Sequence, residues 1–226
     1  MTNTLYDALL LPHQGREKTF LTLKDGRTIT YDAFLRIAAR FANAMTKLGI
    51  GSGDRVAVQV KKSPEALAVY AACLGSGAIS LPLNTAYTPA EVEYFVTDAE
   101  AKLLICDGSS AEALKPVANK AGALLLTLNA DGSGSFAELA EGMPQTLSPA
   151  PRGPHDLAAF LYTSGTTGRS KGAMLTHDNL LSNAEALAKA WRFTSSDVLL
   201  HALPIFHTHG LFVATNTILL AGASMV

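Results

Sequence analysis

The chain has 226 residues, with 18 Lys and Arg against 19 Asp and Glu, a formal net charge of −1. That balance excludes a general nucleic-acid binder, which would show a basic excess or stripe, and a hydrophobic content of 48% argues against disorder. Only 16% of residues are charged, against about 25% in an ordinary globular domain, so the chain either buries an unusual share of its surface or is covered by something else.

Two cysteines, Cys73 and Cys106, cannot build a disulfide framework, and both sit in apolar runs that read as buried, reduced thiols. The first residues, MTNTLYDALLLP, lack a basic region and carry Asp7, so no secretory signal is read there and a cytoplasmic location is expected. No apolar run reaches the roughly 18 residues of a membrane span. The nearest, 211–226, is interrupted by Thr215, Asn216 and Thr217, so no membrane partner is expected.

In chain order, a short helix is followed by a hairpin whose strands, 19–23 and 28–31, flank Lys24-Asp25-Gly26-Arg27, a strong turn signal. Apolar residues Phe34, Ile37, Ala38, Phe41, Met45 and Leu48 at spacings of three and four predict a helix over 32–48, closed by Gly49. Strand 56–60 leads to Ser63-Pro64-Glu65, which reads as N-cap, first-turn proline and first-turn acid of a helix to about residue 74. A short strand at 78–81 follows. Thr88-Pro89-Ala90-Glu91 has capping-box spacing and starts another helix. Strand 102–106, helix 111–121 and strand 123–128 complete an alternation that predicts an α/β class, a layered α/β/α arrangement with a largely parallel sheet. Residues 129–154 read as a connection punctuated by Pro144, Pro149, Pro151 and Pro154, with one short helix at 136–141.

The apolar pattern resumes at Leu157, and the strand 157–162 runs into Thr163-Ser164-Gly165-Thr166-Thr167-Gly168-Arg169-Ser170-Lys171-Gly172. Glycines let backbone wrap closely round a ligand, successive N–H groups make an anion-binding concavity, and Lys171 adds a compact positive charge. Together these suit a polyphosphate. A flexible linker is the bland alternative, but the loop lies between two apolar runs. A Walker A loop fails on spacing, because Ser170 stands where glycine is required and Gly172 where a hydroxyl is required.

Among the histidines, His13, His155 and His177 fall near expected loops or caps and are expected at the surface. His201, His207 and His209 invite a metal reading, but no nearby Cys, Asp or Glu completes a ligand set, Asp197 being the closest carboxylate, and none is assigned to a metal.

The segment YTSGTTGRSKG at 162–172 resembles the phosphate loop of the adenylate-forming superfamily of acyl-CoA synthetases, luciferases and peptide-synthetase adenylation domains. Ile29-Thr30-Tyr31-Asp32-Ala33-Phe34, Gly77-Ala78-Ile79-Ser80-Leu81-Pro82-Leu83-Asn84 and Leu203-Pro204-Ile205-Phe206-His207-Thr208-His209-Gly210 resemble three further boxes of that superfamily, in order. Ser170 departs from the proline usual there. Arg169-Ser170, Asn84-Thr85-Ala86-Tyr87-Thr88 and His207-Thr208-His209-Gly210-Leu211-Phe212-Val213 look most like the malonyl-CoA synthetase (malonate–CoA ligase) branch.

The resemblance implies the N-terminal portion of the large domain of an enzyme that activates a small dicarboxylic acid, malonate or methylmalonate, with ATP and Mg²⁺ and passes the acyl group to coenzyme A. It implies phosphate contacts from Thr163, Ser164, Gly165, Thr166, Thr167, Gly168 and Lys171, with Arg169 facing either phosphate or solvent. His207 would stand beside the acyl carboxylate and the α-phosphate. His209, Gly210 and Leu211 would line the acyl pocket, core packing being the alternative for Leu211. Thr163, Lys171 and His207 are therefore the expected catalytic set.

It also implies three units: a hairpin and helix at 1–49 belonging to a second subdomain, a first α/β subdomain at 50–195, and the start of the second subdomain at 196–226. The adenine, ribose, Mg²⁺ and distal-carboxylate ligands and a C-terminal lid are expected beyond residue 226. The chain alone is expected to be inactive and to associate through its last third. Two other readings fit the same residues: a ligase for a fatty or aryl acid, and a nucleotide-binding module without chemistry.

Overall fold

Several helix starts in this chain are set by side chains. In the computed structural model, which describes residues 2–163 and 170–226, helix α1 (Thr4–Leu9) is capped by Asn3 and helix α2 (Tyr31–Lys47) by Thr30. Helix α3 (Pro64–Ser76) begins with the Ala66 N–H donating to Ser63 Oγ at 3.0 Å. Helix α4 (Pro89–Asp98) has the full reciprocal box, Thr88 receiving the Glu91 N–H while the Glu91 carboxylate receives the Thr88 N–H. Each cap satisfies a backbone donor that the first helical turn leaves without a partner.

These helices separate strands β1 (Thr19–Thr22), β2 (Thr28–Thr30), β3 (Arg55–Gln59), β4 (Ile79–Pro82) and β5 (Leu103–Cys106). The chain continues through α5 (Ala111–Ala121), β6 (Leu124–Thr127), α6 (Ser135–Ala140), β7 (Leu157–Thr163), β8 (Lys171–Thr176) and α7 (His177–Trp191). It ends with β9 (Val198–Leu199), a π-helical stretch over His209–Thr215, α8 (Asn216–Ala221) and β10 (Ser224–Met225).

Among the described residues, six strands form one sheet in the order β6-β5-β3-β4-β7-β8. It is parallel from β6 through β7, and β8 returns antiparallel to β7. Side chains alternate between its faces. Ala57, Leu81, Leu104 and Cys106 pack with Val92, Phe95 and Val96 of α4 and with Leu114 and Val117 of α5. Val56, Leu103 and Ile105 belong to the cluster that includes α2 and α3. Helix α3 is buried throughout 66–76 because the sheet lies on one side and α2 on the other, which is why its sequence is apolar all round rather than striped. The layered α/β/α class expected from the alternation is the one observed. Cys73 and Cys106 are free and buried, and burial pushes the Cys73 thiol up to about 12.

A second sheet has the order β2-β1-β10-β9 and joins the two ends of the chain. Gly26, at φ 85°, turns the β1–β2 hairpin, a conformation that suits glycine. Strand β10 then lies parallel to β1 and to β9. Tyr31 Oη donates to the Ala223 carbonyl at 2.6 Å, and Ser224 Oγ donates to the Thr19 carbonyl at 2.6 Å.

Two histidines expected at the surface are buried instead. His13 stacks on Tyr31 with ring centroids 4.2 Å apart, and its Nε2 lies 2.7 Å from the Leu219 carbonyl. His177 receives the Leu5 N–H on Nδ1 at 3.3 Å. Both sit where the N-terminal segment docks on later elements, a long-range contact that no local pattern announces. His155 is exposed, as expected. The apolar tail is also better buried than its composition suggested: Leu211, Phe212, Ile218, Leu219 and Met225 are core residues. Large exposed apolar side chains fall just before it, at Val198, Leu200 and Leu203.

Candidate functional site

In a parallel sheet, ligands collect at the carboxyl ends of the strands. Gln59, Pro82, Cys106 and Thr163 are the last residues of β3, β4, β5 and β7 and share that edge. The segment that resembles a phosphate loop leaves β7 there and returns as β8. The antiparallel register pairs Thr163 directly with Lys171, and Tyr162 with Gly172. Thr163 and Lys171 thus face each other across the mouth of the loop, both exposed. A strand-to-strand return also differs from the strand-to-helix context of a Walker A loop. Ser164, Gly165, Thr166, Thr167, Gly168 and Arg169 lie outside the described residues.

The base of the loop is braced by α4. Tyr94 Oη donates to the Ser170 carbonyl at 2.8 Å, and Tyr162 Oη donates to Asp98 Oδ2 at 2.6 Å. The Tyr162 ring packs against Phe95 at 4.5 Å and edge-on to Tyr94 at 5.9 Å. Burial and the Asp98 carboxylate push the Tyr162 hydroxyl well above its ordinary pKa, so it remains a donor. Sequence reasoning passed over Tyr94 and Asp98. Their signal was the capping box itself: from Glu91, positions 94, 95 and 98 follow at helical spacing on one face.

The second group of expected residues lies on the connection from β9 into the π-helical stretch. His207 and His209 are exposed, whereas Gly210 and Leu211 are buried. A Cβ on Gly210 would clash with the Pro204 carbonyl, so only glycine lets the connection double back on itself there. Leu211, Ile205 and Phe206 line a small cavity with Val58 and Val60 of the β3 end, Ser80 and Pro82 of β4, and Ala66 and Tyr70 of α3. The connection therefore packs at the carboxyl ends of β3 and β4, next to β7. The structure thus brings Thr163 and Lys171 together, groups His207, His209, Gly210 and Leu211 separately, and sets both groups along one edge of the sheet.

The described residues thus form an α/β core whose sheet edge carries the paired ends of β7 and β8 beside a histidine-bearing connection. The chain belongs to the AMP-binding enzyme family, which matches residues 12–226. The crystal structure of apo MatB from Rhodopseudomonas palustris superposes with a TM-score of 0.95 at 48% identity, covering 100% of this chain and 45% of that one. ATP-bound MatB superposes with a TM-score of 0.95 at 49% identity, over 100% of this chain and 45% of that one. A malonate–CoA ligase of Arabidopsis thaliana is 31% identical over 207 residues, 84% of this chain and 34% of that protein. A probable CoA ligase, CCL9, of Humulus lupulus is 31% identical over 202 residues, 87% of this chain and 38% of that protein. The chain thus spans less than half the length of these relatives.

Proposed function

We propose that this chain supplies the N-terminal part of an ATP-dependent ligase that converts malonate or methylmalonate to its coenzyme A thioester, releasing AMP and pyrophosphate. The observation that carries this reading is the pairing of Thr163 with Lys171 at the sheet's carboxyl edge. It stands in a chain that matches ATP-bound MatB along its whole length, and the likeness to a malonate–CoA ligase supports the choice of acid.

In the first step a carboxylate oxygen attacks the α-phosphorus of ATP, the bond to the β-phosphate oxygen breaks, and pyrophosphate leaves with the charge. N–H and hydroxyl donors from 163–168, together with the Lys171 ammonium, would meet that charge as it develops, the arrangement that stabilises such a transition state most. His207 would hold the acyl carboxylate beside the α-phosphate, with His209, Gly210 and Leu211 bounding the acyl group. In the second step the coenzyme A thiol forms the C–S bond, the acyl–phosphate C–O bond breaks, AMP departs and the thiol proton is lost to solvent. Mg²⁺ accompanies the nucleotide in this proposal. Among the described residues no group of three His, Cys, Asp or Glu side chains is placed to hold a metal.

The same proposal divides the chain into 1–49, 50–195 and 196–226. The two sheets support it: strands of 50–195 build one, and strands from the two flanking parts build the other. The test is the whole enzyme given ATP, coenzyme A and a panel of acids. Malonate or methylmalonate should yield thioester and AMP, and Lys171→Met should slow this about a hundredfold or more. Turnover of benzoate or a fatty acid in preference to malonate would overturn the choice of acid.

A further inference from the structure

We propose that Lys62 and His201 act together as positioning residues for the connection that carries His207. The proposal rests on the reading of His207 as a site residue. Lys62 is fixed by regular structure on both sides, lying between the end of β3 and Ser63, the N-cap of α3. Its ammonium reaches across to the second sheet region. It lies 2.7 Å from His201 Nδ1, donates to the His201 carbonyl, and donates to the Leu203 carbonyl at 3.2 Å. The His201 ring is buried, and its Nε2 lies 2.9 Å from the Gly210 carbonyl.

Donor and acceptor rules fix the ring's state. An ammonium can only donate and a carbonyl can only accept. Nδ1 therefore carries the lone pair and Nε2 the hydrogen: one tautomer of the neutral ring. Burial, with the Lys62 charge beside it, holds the ring below its ordinary pKa and keeps it neutral. Thr215 Oγ1 also donates to the Gly210 carbonyl, at 3.0 Å. The result is a strut from the β3–α3 corner to Leu203 at one end of the connection and, through the imidazole, to Gly210 at the other. His207 lies between these two ends and is itself exposed, so the path of its backbone decides where its ring stands. Small displacements of a reacting group lower the rate of the chemical step far more than they weaken binding of the remote substrate parts.

The test is single-turnover acyl-adenylate formation by the whole enzyme, comparing wild type with Lys62→Met, His201→Gln and the double variant. Because Lys62 is exposed, the methionine variant is expected to fold. Each single variant should lower the rate constant about tenfold and leave the KM for ATP within about twofold. The double variant should be no slower than the slower single one, since the two residues form one device. An unchanged rate in Lys62→Met, or losses that multiply to about a hundredfold in the double variant, would overturn the proposal. Nitrogen-15 spectra of the His201 ring supply a readout independent of turnover. They should show one neutral tautomer in the wild type and a mixture in Lys62→Met; identical ring shifts in both would also overturn it. If the wild type forms no adenylate with any acid, the functional reading fails, while the ring spectra still decide the strut.

Discussion

The two sheets are made by opposite means. The six-stranded sheet is written locally between Arg55 and Thr176: β3 to β6 are each followed by a helix and β7 by its antiparallel neighbour β8, with caps at Ser63 and Thr88 marking two of the transitions. The four-stranded sheet is closed from afar, pairing Thr19–Thr22 with a two-residue strand at Ser224–Met225 and that strand with another at Val198–Leu199. The central strands of the first bury both faces, exposed apolar side chains being confined to its edge strands at Leu124 and Met174. Beside the second, Leu200 is 75% exposed and Val198 61% exposed. Thr163 and Lys171 sit on the six-stranded sheet, whereas the His207 connection follows β9 of the smaller one and is tied back by Lys62 to His201 and Leu203. Rigid elements position charge well, whereas a short, long-range pairing has less packing to resist displacement.

Lys171→Met alters the six-stranded sheet's side of the site. It should cost about a hundredfold or more in adenylate formation, as removal of a preorganised transition-state contact does, while thermal unfolding stays within a few degrees, because Lys171 is exposed on β8. Gly210→Ala attacks the other region. With the Pro204 carbonyl in the way, it should destabilise by about 2–4 kcal/mol. Hydrogen exchange should rise in 198–226 and not in β3–β5; uniform protection loss would show that the two sheets unfold as one.

Acidity probes their seam. Burial, reinforced by Arg152, holds His177 down at about 4 against an ordinary 6.5. The folded state therefore binds the proton more weakly than the unfolded chain. The contribution is fully present above pH 6.5 and is lost as pH falls from there toward about 4, up to about 3 kcal/mol at 1.36 kcal/mol per unit. Denaturant unfolding of His177→Gln measured across that window should show a flatter pH dependence than the wild type. Ser63→Ala is the smallest perturbation. Loss of the α3 cap should cost about 1 kcal/mol in urea unfolding and leave the KM for ATP unchanged.

What the sequence made legible follows the same division. Caps, strand–helix alternation and the Asp25-Gly26 turn are local signals, and they located α2 through β7 within a residue or two of where they lie. Strands β9 and β10 are two residues each, too short to show alternation; β9 pairs with β10, and β10 pairs with β1 at the other end of the chain. The burial of His13 and His177 escaped notice for the same reason: their partners, Leu219 and Leu5, are distant in sequence. At the site, the glycine–hydroxyl loop announced itself by composition. The braces Tyr94 and Asp98, and the pair Lys62 and His201, carry no motif of their own and emerge only when helix spacing and chain crossing bring them to the loop and the connection.

If Thr163 and Lys171 meet the polyphosphate of ATP as proposed, a small dicarboxylate is adenylated and the products reveal it. The most direct measurement is the product analysis of the whole enzyme with ATP, coenzyme A and malonate. Malonyl thioester should form with one AMP and one pyrophosphate per turnover, about a hundredfold or more slower in Lys171→Met. Formation of ADP and phosphate instead, or thioester formation undiminished by that substitution, would contradict it.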